Sequence, residues 1–65
     1  MERLLKEVEV AALLGLKVKT IQRWRFEGRG PEFRKLGGGA VRYSAEALAE
    51  WVRAQPAGGD AVERK

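Results

Sequence analysis

Cysteine and histidine are both absent from this 65-residue chain. With them go disulfides, thiolate and imidazole metal ligands, and the usual nucleophiles and proton shuttles. Serine occurs once, as Ser44, and no base lies near it in sequence to activate it. Glu7 and Glu9 are isolated carboxylates that read as surface charges favouring a helix N-terminus rather than as a metal site. An enzyme is therefore not expected, and neither a catalytic residue, a metal nor a cofactor is assigned. Long apolar runs are missing too: nothing approaches the roughly 18 residues a membrane helix needs. The pairs Leu4-Leu5 and Leu13-Leu14 are too short for a secretory signal core. A soluble cytoplasmic protein with no membrane partner is the expectation. The length fits one small domain with a compact core.

Positive charge is present in excess and is unevenly placed. The net charge is +4. Residues 17–42 hold eight cations (Lys17, Lys19, Arg23, Arg25, Arg29, Arg34, Lys35, Arg42) against Glu27 and Glu32, a net of +6. The remaining five cations and seven carboxylates leave −2 elsewhere. A basic middle with an acidic periphery suits a surface that neutralises phosphates, because each docked Lys or Arg releases a condensed counterion. An ordinary solvated surface can carry the same charges, so the pattern needs support from geometry.

Residues 5–14 have a helical rhythm with Val10, Ala11 and Leu14 on one face, and Gly15 is placed to stop the helix. Residues 19–27 form a second periodic segment ended by Gly28. Arg29-Gly30-Pro31 breaks regular structure. Residues 33–36 and 40–43 then flank Gly37-Gly38-Gly39 and read as a hairpin with a flexible tip. Ser44 is a good N-cap for a third helix running to about residue 55, with Leu48, Trp51 and Val52 at helical spacing, before Pro56. The expected organisation is a DNA-binding unit over residues 1–55 and a flexible C-terminal tail over 56–65.

Two helices joined by so short a turn can pack only if particular positions are small, glycine or apolar. Ala11 is small at the crossing, Gly15 supplies the left-handed turn residue, Leu16 can plug the corner, and Ile21 and Trp24 pack back. An αα-hairpin without nucleic acid has the same geometry, and the charge argues against it. At roughly 100° per residue, Ile21 and Trp24 share one side of the second helix, while Lys19, Gln22, Arg23 and Phe26 share the other. Arginine can bridge guanine O6 and N7, glutamine can pair with adenine N6 and N7, and an aromatic ring can touch a thymine methyl. The second helix is thus the candidate recognition helix, with Lys17 and Lys19 at its N-terminal end near a phosphate. Arg25 falls toward the buried side, where it snorkels or pairs with a carboxylate. The hairpin adds Arg34, Lys35 and Arg42 as a wing, and alternation directs Arg42 away from the core. Trp24, Trp51, Phe33 and Tyr43 read as core.

The fold class expected is mainly α with a small β-hairpin, a winged helix-turn-helix. The ordered motifs Leu4-Leu5, Glu9-Val-Ala-Ala-Leu-Leu-Gly-Leu16, Thr20-Ile-Gln-Arg-Trp-Arg-Phe-Glu-Gly28, Gly30-Pro31, Phe33, Lys35-Leu-Gly37, Val41-Arg-Tyr43 and Leu48-Ala-Glu-Trp51 resemble the excisionase and AlpA-like helix-turn-helix family of phages, plasmids and integrated elements. The resemblance covers residues 4–53. It implies a winged fold related to the DNA-binding part of mercury-resistance-type regulators, with the second helix in the major groove and the wing at the adjacent minor groove or backbone. It also implies that Lys19, Gln22, Arg23 and Arg42 touch double-stranded DNA. At Lys17 the chain departs from the serine usual in that family. The function implied is an excisionase that bends DNA and assists an integrase, with self-association on DNA as a further possibility. An AlpA-like transcription regulator, a terminase small-subunit DNA-binding domain and a protein-interaction module for an acidic partner are the alternatives.

Overall fold

A computed structural model describes residues 2–57. In chain order it contains β1 (Leu4–Leu5), α1 (Glu7–Leu14), α2 (Val18–Phe26), β2 (Phe33–Leu36), a glycine turn (Gly37–Gly39), β3 (Ala40–Ser44) and α3 (Ala45–Arg53). The strands form one antiparallel sheet in the order β1-β3-β2. The architecture is the expected one, three helices with a β wing, and the sheet has one strand more than the hairpin reading allowed. Of the expected tail, residues from 58 onward lie outside the described residues.

The extra strand corrects the start of the first helix. Leu5 opposes Tyr43 on β3 and is buried, whereas Leu4 opposes Ser44 and is exposed. Strand alternation, not helical periodicity, therefore sets which leucine enters the core. The helix begins only after Lys6, whose N–H donates to the Glu9 carboxylate at 2.8 Å. At the other end of the chain, α3 stops at Arg53, short of the expected residue 55. Its start is as read: the Ser44 hydroxyl accepts the Ala47 N–H at 2.9 Å.

Leu5, Val10, Ala11, Ile21, Tyr43 and Leu48 form the buried core, and Trp24, Phe33 and Trp51 close over it. The two indoles meet at 5.6 Å between centroids, and Phe33 meets Tyr43 at 5.9 Å. Val52, assigned to the packed face from its spacing, is 46% exposed. The α3 face that meets the core is narrow, so the stripe beside Leu48 and Trp51 is left at the surface.

After α2 the chain reverses across Gly28 and Gly30, both at positive φ, before the buried Pro31. The two glycines differ in their surroundings. A Cβ on Gly30 would stand 2.9 Å from Trp24 Cε3, whereas one on Gly28 would meet open space. Gly28→Ala should cost about 1 kcal/mol, the backbone strain alone. Gly30→Ala adds displacement of the indole from Trp51 and should cost about 2–3 kcal/mol, or roughly 10–20 °C in Tm, in thermal melts of the two variants. Equal losses at the two positions would show that Trp24 does not hold this turn.

Candidate nucleic-acid interface

The turn between α1 and α2 is built on Gly15, which adopts φ 70° and ψ 30°. The Leu16 N–H reaches the Ala11 carbonyl at 2.9 Å and the Gly15 N–H reaches Ala12 at 3.3 Å, so two carbonyls of the last turn of α1 are satisfied within the loop. Ala11 is buried beside it, and Ile21 is buried on α2. Leu16 remains 40% exposed, so it covers the corner rather than plugging it. The result is two short helices in contact across a three-residue turn, with one face of the second helix left to solvent.

On that face Lys19, Arg23 and Phe26 are exposed, and Lys17 is exposed at the N-cap. Phe26 is 82% exposed, a large apolar surface left uncovered. Lys17 has no acceptor to offer the first turn, and no side chain caps it. Its backbone carbonyl instead accepts the Thr20 N–H at 2.9 Å. The helix starts at Val18, one residue ahead of the expected start. Gln22 differs from its expected neighbours. It is half-buried, and its amide nitrogen lies 3.5 Å from a Glu7 carboxylate oxygen on α1.

Arg25 is turned inward, and its partner is also Glu7, with Nε donating to Oε2 at 2.5 Å. Both side chains are mostly buried, 18% and 16% exposed. The guanidinium lies 5.2 Å from the Phe26 ring centre and 5.9 Å from that of Phe33. The inward placement of Arg25 is as read from the helical wheel. The reading of Glu7 as a free surface charge is corrected: it is the counter-ion of the one α2 arginine that is mostly buried. Arg25 signalled that some carboxylate had to be near, but a pairing across 18 residues leaves no local pattern.

The wing distributes its cations unequally. Cross-strand partners are Phe33 with Tyr43, Arg34 with Arg42, Lys35 with Val41 and Leu36 with Ala40. Lys35 therefore shares the side of Phe33 and Tyr43, the side turned to the core, while Arg34 and Arg42 share the other. Arg34 pairs with Glu32 at 3.0 Å and lines a shallow recess with Glu2, Glu46 and Glu50. Arg42 is half-buried and donates to the Val41 carbonyl at 2.8 Å. Both Arg34 and Lys35 are exposed. Neither packs its stem on the core, because the strand runs beyond the core and solvent meets both of its faces.

A sorting of charges results. Arg25, Arg29 and Arg34 are paired with Glu7, Glu27 and Glu32. Among the described residues, Lys17, Lys19, Arg23 and Lys35 form no ion pair. The carboxylates of the basic segment are thus occupied by arginines outside the reading face, and Lys19 and Arg23 of α2, with Lys17 at its N-cap, stay available to an external anion. No helix among the described residues is long and apolar enough to cross a membrane.

Comparison with known proteins bears on the same span. Among curated proteins none matches the chain. A family model described as a helix-turn-helix domain matches residues 4–56, from β1 to just past α3. Its members are DNA-binding domains, generally without enzymatic activity, and include excisionase and AlpA-like proteins. With the turn at Gly15, the exposed cations of α2 and the wing all inside the matched span, the chain belongs to this family of DNA-binding helix-turn-helix domains.

Proposed function

We propose that the protein is an excisionase-type architectural factor: it binds double-stranded DNA sequence-specifically, bends it and assists an integrase in excision. The observation that carries this reading is the set of unpaired cations on one side of α2, Lys17, Lys19 and Arg23, beside an exposed Phe26. Arg23 and Gln22 read base edges in the major groove, Phe26 offers apolar contact to a thymine methyl, and Lys17 and Lys19 hold phosphates at the uncapped start of α2. Lys35 continues the cationic track onto the wing. Arg42 and Arg34 follow from the other side of the sheet, Arg34 after exchanging Glu32 for a phosphate. Residues 1–55 act as the DNA-binding unit, and protomers line up on repeated sites near a recombination locus.

Base readers and phosphate holders respond differently to truncation. Arg23→Ala should relax preference at a single base position by about 5- to 100-fold, while Lys35→Ala should weaken all duplexes alike by several-fold. Selection of bound oligonucleotides followed by affinity measurement on single-base variants checks both. An unchanged margin of the selected site over random DNA in Arg23→Ala would remove α2 as the reading element. Footprinting and bending assays on the selected repeats, with and without an integrase, then test the recombination role. Protein that binds without bending and leaves excision unchanged acts otherwise, as at a promoter.

A further inference from the structure

We infer that Glu7, which lies on α1 and outside the reading helix, fixes which base Gln22 selects; the inference rests on α2 being the helix that enters the groove. Glu7 holds Arg25 through one carboxylate oxygen at 2.5 Å, and its other oxygen stands 3.5 Å from the Gln22 amide nitrogen. Arg25 is in turn held between the rings of Phe26 and Phe33, so the carboxylate is anchored from behind. It is also mostly buried, and solvent screens it little.

A fixed carboxylate permits Gln22 one amide orientation. The –NH2 end must face it, because the reverse would set carbonyl and carboxylate oxygens, all acceptors, against each other. One Nε2 hydrogen remains free for the groove, beside the Oε1 acceptor. That pair matches adenine, whose N6–H donates to Oε1 while N7 accepts from Nε2. Released from Glu7, the –NH2 has both hydrogens to give and can reach O6 and N7 of guanine together, so guanine is admitted. Glu7 is therefore a positioning residue that makes the Gln22 position select adenine over guanine.

Removing Glu7 alone would strand a buried Arg25, so the test replaces the pair together, Glu7→Met with Arg25→Met, which keeps the space filled. Thermal melting establishes that the variant folds. Affinities are measured for the selected site and for each single-base change of it, and the Gln22→Ala single variant locates the base pair that Gln22 reads. At that base pair the double variant should lose about five- to tenfold of its adenine-over-guanine preference, the lower part of what a bidentate contact supplies. The position sensitive to Arg23→Ala should keep its preference, and adding Gln22→Ala to the double variant should weaken both purines there but leave the adenine-to-guanine ratio unchanged. The ratio between bases is decisive, since loss of a charged pair near DNA can change affinity for every duplex alike. An unchanged preference in the folded double variant, or an equal loss at all positions, overturns the role of Glu7. If instead Gln22→Ala alters no position in the wild-type background, the reading of Gln22 itself fails and the role of Glu7 falls with it.

Discussion

Raising salt from 50 to 200 mM should weaken binding to random duplex DNA by about two to three orders of magnitude. The magnitude follows from counterion release. Contact with about four to six phosphates gives a slope of roughly −3.6 to −5.4 in log affinity against log salt, at about −0.9 per phosphate. On random DNA, where Arg23 finds no cognate base and rests on a phosphate, Lys17, Lys19, Arg23 and Lys35, without an ion pair among the described residues, supply the lower number, and Arg34 and Arg42 raise it to the upper. Fluorescence anisotropy of a labelled random duplex across that range measures the slope directly. Arg34 gives a sharper check within the same experiment. Because Glu32 already faces it at 3.0 Å, Arg34→Ala should lower the slope by less than Lys35→Ala does. A flat response would reject phosphate contact and leave an acidic protein as the partner of this face.

Tyr43→Ala should abolish the cooperative thermal transition and DNA binding together. Tyr43 is 1% exposed on β3, the middle strand, opposite Leu5 on one side and Phe33 on the other. Truncating a buried aromatic costs about 3–5 kcal/mol. A core this small supplies about as much in total, so no margin is left. Tyr43→Phe keeps the ring and should cost about 1 kcal/mol, the contribution of the hydroxyl. That hydroxyl has a signature in alkali. Burial, and next the Glu7 carboxylate, raise its pKa above the ordinary 10.0, and the Arg25 guanidinium opposes the shift. Folded protein therefore keeps a proton that the unfolded chain releases above pH 10. The associated stability is complete below that pH and is lost as the pH climbs through the raised value. Melting temperatures of wild type should accordingly fall above pH 10 more steeply than those of Tyr43→Phe.

Much of this arrangement is legible from local pattern. Gly15 between two periodic segments announces the turn. Ser44 before Ala45 announces α3, and alternation of Val41 and Tyr43 around a glycine tip announces the wing. The exposed face of α2 follows from helical periodicity alone, apart from Gln22. What local pattern misses is contact between distant segments. A two-residue strand such as Leu4–Leu5 is too short to show a period, and only its pairing with residues 43 and 44 defines it. Glu7 is likewise defined by Arg25 and Gln22, far along the chain. The neutralisation of Arg34 is a different matter. Glu32 and Arg34 are two residues apart where the chain enters a strand, hence on one side, and the signal for their pairing was present in the sequence.

The pairing of β1 with β3 limits how the molecule can be dissected. The Ala45 N–H donates to the Arg3 carbonyl at 3.0 Å, Leu5 is buried against Tyr43, and Trp24 is covered by Trp51. Both helices of the reading motif thus draw their apolar partners from the second half of the chain. A peptide of residues 6–28 would lack those partners, and helices of eight and nine residues do not persist in water by themselves. Grafting this base-reading element onto another scaffold therefore means transferring everything from Arg3 to Arg53, and a nascent chain has no finished reader until α3 leaves the ribosome.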